Sequence, residues 1–343
     1  MRRLSCQNCG HDVFFDSITC VNCGHNLAYA PREAKMLAAE NGHWSLDGTS
    51  YAACANRADI WCNWLTSDDE SLCEACRHNR LIPDLSVPGN AASWAKIEAA
   101  KRVLFYSIIA WDLPRPIKVD EDDGGLAFDF LADEVMPDGS LKNHLTGHAS
   151  GLITINIAEG DDAERERRRT SMGEPYRTLV GHFRHEVGHY YWDRMVATDP
   201  ARLAAFRALF GDDRADYGEA LKRHYDNGPP SDWADSFISS YATSHAWEDF
   251  AETFAHYVHM VDGLETAHAF GAAVGDGPPV PDAYHAGDAN TLVNAWVPTT
   301  VAINAINRSM GQPDLYPFVL STPVSEKLAF IHAMVHRQPA PQA

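Results

Sequence analysis

No cysteine follows residue 76 in this chain of 343 residues; all eight lie before residue 77. Disulfides running through the whole fold are thereby excluded, and the clustering marks a local framework. Long apolar runs are missing as well. A membrane helix needs roughly 18 apolar residues, and the longest run near the front, Val103 to Leu113, is broken by Ser107 and Asp112. Arg2 and Arg3 have no apolar stretch behind them, so no secretory signal is expected and the cytoplasm is the expected location. Bases are scarce: 28 lysines and arginines face 47 acidic residues, a net charge of −19. A chain this acidic lacks the electrostatic footprint of a polyphosphate binder. Neither a nucleic acid nor a membrane is an expected partner.

What is present is an ordinary globular composition, 45% hydrophobic and 22% charged, with enough length for one sizeable core and smaller modules. Residues 1–30 are small, polar and marked by cysteine. Residues 31–45 read as a linker or short helix, and the second cysteine group follows. Pro83, Pro88 and Gly89 then punctuate the chain, which sets a boundary near residue 90. A helix is expected from Ser93 as cap, through Trp94, Ile97, Ala100, Lys101 and Leu104, ending before Pro114 and Pro116. Strands are expected at Ile117–Val119, Leu126–Phe130 and Leu152–Ile157. Asp161 to Arg169 is a charge run, the solvated face of a helix or loop. After about residue 175 the pattern is helical, with loops at 211–213, 227–230 and 275–281. Strands first and helices after is the signature of an α+β fold.

Cys6, Cys9, Cys20 and Cys23 form two Cys-x-x-Cys turns within a pseudo-repeat, Cys6-Gln7-Asn8-Cys9-Gly10-His11 and Cys20-Val21-Asn22-Cys23-Gly24-His25. Each turn directs two thiolates at one metal, and two turns complete a closed tetrahedral shell. A structural zinc ribbon follows; iron accepts the same sulfur shell. Cys54, Cys62, Cys73 and Cys76 contain a single Cys-x-x-Cys turn. Four leftover cysteines still match one tetrahedral zinc site, against the alternative of buried free thiols. His78 stands close enough in sequence to substitute. Such sites hold together segments too small to bury an adequate core.

The third constellation is His185-Glu186-Val187-Gly188-His189. On a helix, residues four apart share a face, so His185 and His189 can hold one zinc while Glu186 reaches a water beside it. Val180, Phe183, Val187 and Tyr191 supply the apolar face. Gly188 removes a side chain where a neighbouring element could approach. Downstream, Glu248 and Glu252 are again four apart, among Trp247, Phe250, Ala251 and Phe254. Glu248 is the expected third ligand, and Glu252 is then free to accept a hydrogen bond from a ligand histidine and fix its tautomer. His182, His256, His259 and His268 are expected to be structural.

The downstream segment resembles the anthrax lethal factor-like branch of the gluzincins. There a Tyr precedes a zinc-ligand Glu by seven residues, and Phe-Ala-Glu-x-Phe follows. Tyr241, Glu248, Phe250, Ala251, Glu252 and Phe254 fit that pattern. The resemblance implies an oxyanion-stabilising role for Tyr241, with His245 as the other candidate. Asp249 departs from it, since an aromatic residue is common there.

The chain as a whole resembles a bacterial family of zinc-binding metallopeptidases with an N-terminal zinc ribbon. That likeness runs from the two Cys-x-x-Cys turns through Cys62-Asn63-Trp64-Leu65, Ile82-Pro83-Asp84-Leu85 and the segment from Gly181 to Trp192, to the segment from Trp247 to Tyr257.

The expected organisation is therefore a zinc ribbon at 1–30, a second cysteine module at 31–90 and a mainly helical, zincin-like domain with a small antiparallel or mixed sheet at 91–343. The expected activity is zinc-dependent hydrolysis of a peptide or protein, with Glu186 as general base and one catalytic and two structural zincs. A zinc amidohydrolase acting on a non-peptide substrate and a non-enzymatic zinc-stabilised interaction protein are the competing readings. The strand at Leu152–Ile157, preceded by Gly147, His148 and Gly151, is expected either to offer its edge to an extended substrate or to be an ordinary core strand.

Overall fold

A computed structural model describes residues 1–67, 69–121, 123–135, 141–142, 144, 146–172, 178–272 and 279–338. They sort into two compact units, one of Arg2–Phe183 and one of Arg184–Ala343 with Met1.

The first unit begins with short strands. β1 (Leu4–Ser5) and β2 (Asp12–Val13) form a hairpin, as do β3 (Leu27–Ala30) and β4 (Lys35–Ala38). β5 (Trp44–Leu46), β6 (Thr49–Ala53) and, after the single turn α1 (Arg57–Ile60), β7 (Leu65–Ser67) form a three-stranded antiparallel sheet. Residues 31–45 are thus neither linker nor helix. Leu37 and Trp44 enter a small core with Ala28, Ala30, Ala39 and Leu65, and pairing two short strands is what lets so few residues bury an apolar face.

Next come β8 (Asn79–Leu81) and α2 (Asn90–Ala110). The helix starts three residues before Ser93, because Gly89 takes the left-handed turn at its N-cap (φ 93°). Ser93 instead packs on Gly160, where a Cβ would come within 2.6 Å of the Ser93 carbonyl oxygen. β9 (Ala127–Leu131), the pair β10 (Glu134–Val135) and β11 (Leu141–Lys142), then β12 (Gly147–Ala149) and β13 (Leu152–Asn156) complete the strands.

The main sheet is mixed, in the order β12-β13-β9-β8, with β13 and β8 both parallel to β9. Phe128, Phe130, Ile153 and Ile155 are buried in it, against Trp94, Ile97 and Phe105 of α2. One expectation is corrected here and one open alternative is decided for the core strand. Ile117–Val119 makes only an isolated bridge from Ile117 to Leu126; the Ile117 and Val119 side chains are exposed and the Asp123 carboxylate ties back the amides of Val119 and Asp120. And β13 offers no open edge, because β12 and β9 pair with it on both sides. The charge run is helical, α3 (Asp162–Met172).

α4 (Leu179–Met195) leads into the second unit, which is helical. Its further helices are α5 (Pro200–Phe210), α6 (Tyr217–Asn227), α7 (Ala246–Ala269), α8 (Ala289–Ser309) and α9 (Thr322–Val335). Their starts are written in the sequence: Asp199, Asp216, Asp288 and Ser321 each accept a hydrogen bond from an amide of the first turn. α7 is the central element, burying Phe250, Phe254, Val258 and Val261. Phe206, Phe210 and Phe330 pack around Phe250 at ring separations of 5.8–6.3 Å. Of the loop expected at 275–281, residues 275–278 lie outside the described residues. Small sheets followed by helices make the fold α+β.

Candidate functional site

The pseudo-repeat of the first cysteine group folds twice in the same way. The Cys6 amide donates to the His11 carbonyl at 2.8 Å and the Cys20 amide to that of His25 at 2.9 Å. Gly10 and Gly24 close the turns with φ of 71° and 75°, a region that costs glycine nothing. The sulfurs of Cys6 and Cys23 lie 3.7 Å apart, as do those of Cys9 and Cys20. In the second group the Cys62–Cys73 and Cys62–Cys76 separations are 3.8 Å.

A disulfide would require about 2.05 Å. A tetrahedron with metal–sulfur bonds of about 2.3 Å has edges of about 3.8 Å. The thiols of both groups are therefore spaced as ligand shells, and all eight cysteines are free. Their settings differ. Cys54, Cys62, Cys73 and Cys76 are all buried to 1% exposure or less, whereas Cys9 is exposed and Cys23 half-buried. His78 is not drawn into the second group: its Nδ1 lies 2.9 Å from the Leu126 carbonyl oxygen.

The third constellation lies within the second unit. α4 presents His185 and His189 on one face, and α7 brings Glu248 to them from its first turn. Gly188 allows this approach. A Cβ there would stand 3.0 Å from Ala251 Cα and 3.3 Å from Phe254 Cβ, both on α7. His185 Nε2 lies 3.2 Å from His189 Nε2; Glu248 Oε2 lies 3.0 Å from the former and 3.4 Å from the latter. A tetrahedral ion with bonds of about 2.0–2.1 Å needs edges of about 3.3–3.4 Å, so these three atoms outline one face of such a shell.

Each of the three has a neighbour. Glu252 Oε1 lies 2.7 Å from His185 Nδ1, and Ser239 Oγ donates to Glu252 Oε2 at 2.6 Å. The Trp247 ring lies against that of His189, with centroids 3.6 Å apart. Tyr217 Oη donates to Glu248 Oε1 at 2.7 Å. Tyr241 sets its ring 5.9 Å from that of His185. His245, by contrast, is committed elsewhere. Its Nδ1 accepts from the Trp247 amide at 3.1 Å, capping α7, and its Nε2 lies 3.1 Å from the Ala215 carbonyl.

Sequence reasoning missed Tyr217 and Ser239. No local spacing relates either to its carboxylate, since Tyr217 precedes Glu248 by 31 residues and only the packing of α6 brings it there. His256, His259 and His182 turn to other partners: Tyr316, Arg184 and Glu159 respectively.

The electrostatics call for a cation. Glu186, Glu248 and Glu252 crowd two imidazoles in a buried space. Burial pushes the Glu186 carboxyl up to about 7, and Glu248 and Glu252 push the same way. Burial works against a charged His185, yet its two carboxylate partners outweigh that and hold its pKa well above the usual histidine value. A buried excess of negative charge is costly unless paired or coordinating a metal. The donor set, two imidazoles and one carboxylate, is one that zinc accepts.

Comparison with known proteins agrees with this chemistry. Residues 90–334 match the family described as "Putative zinc-binding metallo-peptidase", and residues 3–87 match a zinc-ribbon domain family. Uncharacterized proteins of Mycobacterium bovis and of two strains of Mycobacterium tuberculosis are each 43% identical over 343 residues, covering 98% of this chain and 95% of their own. No solved structure matches the chain significantly.

Proposed function

The chain belongs to the zinc-binding metallo-peptidase family that its residues 90–334 match, and on that premise we propose that it hydrolyses peptide bonds at His185, Glu186, His189 and Glu248. The observation that carries this reading is the 3.0–3.4 Å triangle of ligand atoms beside a buried glutamate. A zinc ion held there would acidify a water in its open position and polarise the scissile carbonyl.

The protein's own groups then do the following. Glu186 accepts a proton from that water as its oxygen bonds to the carbonyl carbon. It returns the proton to the departing amine as the C–N bond breaks. Its burial, which raises the basicity of a carboxylate, suits it to both duties. Tyr241 donates a hydrogen bond to the oxygen on which charge develops; the commitment of His245 to capping α7 favours Tyr241 for the task. Glu252 holds His185 in the tautomer that offers Nε2 inward.

In this reading residues 1–90, whose β3–β4 hairpin and small core cross the boundary expected at residue 30, carry the two structural zincs, and 91–343 form the peptidase domain with one catalytic zinc. The substrate is a peptide or protein. The cytoplasm is the proposed location, where thiols stay reduced and available to metal; no described helix is long and apolar enough to cross a membrane.

The test is cleavage of a peptide library by the zinc-loaded protein and by its Glu186→Gln variant. The variant should retain zinc and lose about 10²–10⁴-fold in turnover. A fully active variant would remove Glu186 from the mechanism. A wild-type protein that spares every peptide yet hydrolyses a small amide would favour the amidohydrolase reading.

A further inference from the structure

The Tyr217 hydroxyl donates to Glu248 Oε1 at 2.7 Å, while Glu248 Oε2 is the oxygen that meets the two histidines. We infer that Tyr217 is a positioning residue for Glu248, keeping that carboxylate a one-oxygen metal ligand. The inference rests on the assignment of Glu248 as a ligand in the proposed function.

A carboxylate can bind a metal through one oxygen or two. With both oxygens bound, Glu248 would crowd the fourth position that a catalytic centre keeps for water. A phenol bonded to Oε1 competes for that oxygen and favours the arrangement in which Oε2 alone meets the histidines.

The rest of the local structure delivers the hydroxyl to this point. Tyr217 is the first residue of α6, whose start is fixed by Asp216: its side chain accepts from the Glu219 amide at 2.9 Å. The preceding residue, Ala215, has its carbonyl oxygen 3.1 Å from His245 Nε2. His245 in turn caps α7, the helix that carries Glu248 three positions later. One imidazole therefore ties the approach to α6 to the start of α7. The Tyr217 ring also lies 5.4 Å from that of His245 and 5.8 Å from that of Trp247. Both ends of the Tyr217–Glu248 bond are thus anchored to the same cap. That arrangement is more than an exposed tyrosine on a surface helix would need.

The test is a cobalt(II) titration of the full chain with both cysteine groups kept loaded with zinc. Affinity for the third site and the visible spectrum of the bound ion are the readouts. Tyr217→Phe should bind cobalt about 10–100-fold more weakly, the usual cost of losing the partner of a ligand. Its spectrum should shift as Glu248 gains freedom to bind through both oxygens. In a Glu248→Gln background the same change should add little, because the two residues act as one unit.

His245→Asn keeps an acceptor at the cap of α7 but gives up the reach to Ala215. It should lose affinity in the same direction and by less, which keeps the idea testable if Tyr217→Phe folds poorly. Unchanged affinity in Tyr217→Phe, or equal losses with and without Glu248, would overturn the inference while leaving the proposed function intact. Wild-type protein that takes up no cobalt at this site would overturn both.

Discussion

Asp249 follows Glu248, the proposed third ligand, and places a buried charge beside it where the resembling family commonly has an aromatic residue. The fold answers it with Lys327, whose ammonium lies 2.6 Å from Asp249 Oδ2, with both side chains nearly inaccessible. The same ammonium donates to the Ser236 carbonyl at 2.7 Å and sits 4.3 Å from the centre of the Phe237 ring. Removing one partner of a buried pair leaves an uncompensated charge, which costs about 3–5 kcal/mol. Lys327→Met should therefore lower unfolding stability by that amount in a denaturant titration. The double variant Asp249→Leu with Lys327→Met should recover most of it, since an apolar pair of similar volume is often neutral. A single variant as stable as wild type would show that the pair is not the compensating device. The family resemblance marked Asp249 as a departure but not its partner, which lies 78 residues away on α9.

At the level of elements, the site is a contact between α4 and α7, and the spacing of four within each helix was readable in advance because the helical period is fixed by backbone geometry. The distance between the two helices was not readable in full. Gly188 hinted at it, and the structure supplies the neighbour: Ala251, whose Cα and O stand 3.0 and 3.2 Å from where a Cβ would be. Backbone atoms cannot turn aside as a flexible side chain can. Gly188→Val should force α4 and α7 apart, with a loss of about 1–3 kcal/mol from overpacking and a weaker hold on the metal. Thermal unfolding and zinc competition measure the two effects, and a variant with both unchanged would refute the close-approach account.

The errors at this scale have a common origin. Residues 31–45 and Ile117–Val119 are both short β-prone or polar stretches. For such segments pairing partners decide the outcome, and those partners are distant in sequence.

Across the whole molecule, three groups of metal-ligating atoms occur among the described residues, and their burial differs. If each holds one zinc, native mass spectrometry of unchelated protein should count about three per chain. Two, with none lost on Glu248→Ala, would set the peptidase reading behind that of an interaction protein. Chelation should remove the ions in order of access. The first cysteine group, with Cys9 exposed, should release zinc before Cys54, Cys62, Cys73 and Cys76, which lie within the core. Time-resolved reaction of the released thiols reads the order of the two cysteine groups. Simultaneous release from both would contradict it.

Local pattern alone determined the Cys-x-x-Cys turns, the His-Glu-x-x-His face, the Glu248–Glu252 spacing and the α+β order. Each depends on residues within a turn or two of one another, where backbone geometry leaves few choices. Tertiary structure alone decided that the second cysteine group lies in a core, that β13 is paired on both sides, that Lys327 answers Asp249, that His245 serves as a cap and that Tyr217 reaches Glu248. These are meetings of residues far apart in the chain. They are settled by which apolar faces pack together, a property of the whole set of elements that no single stretch of sequence carries.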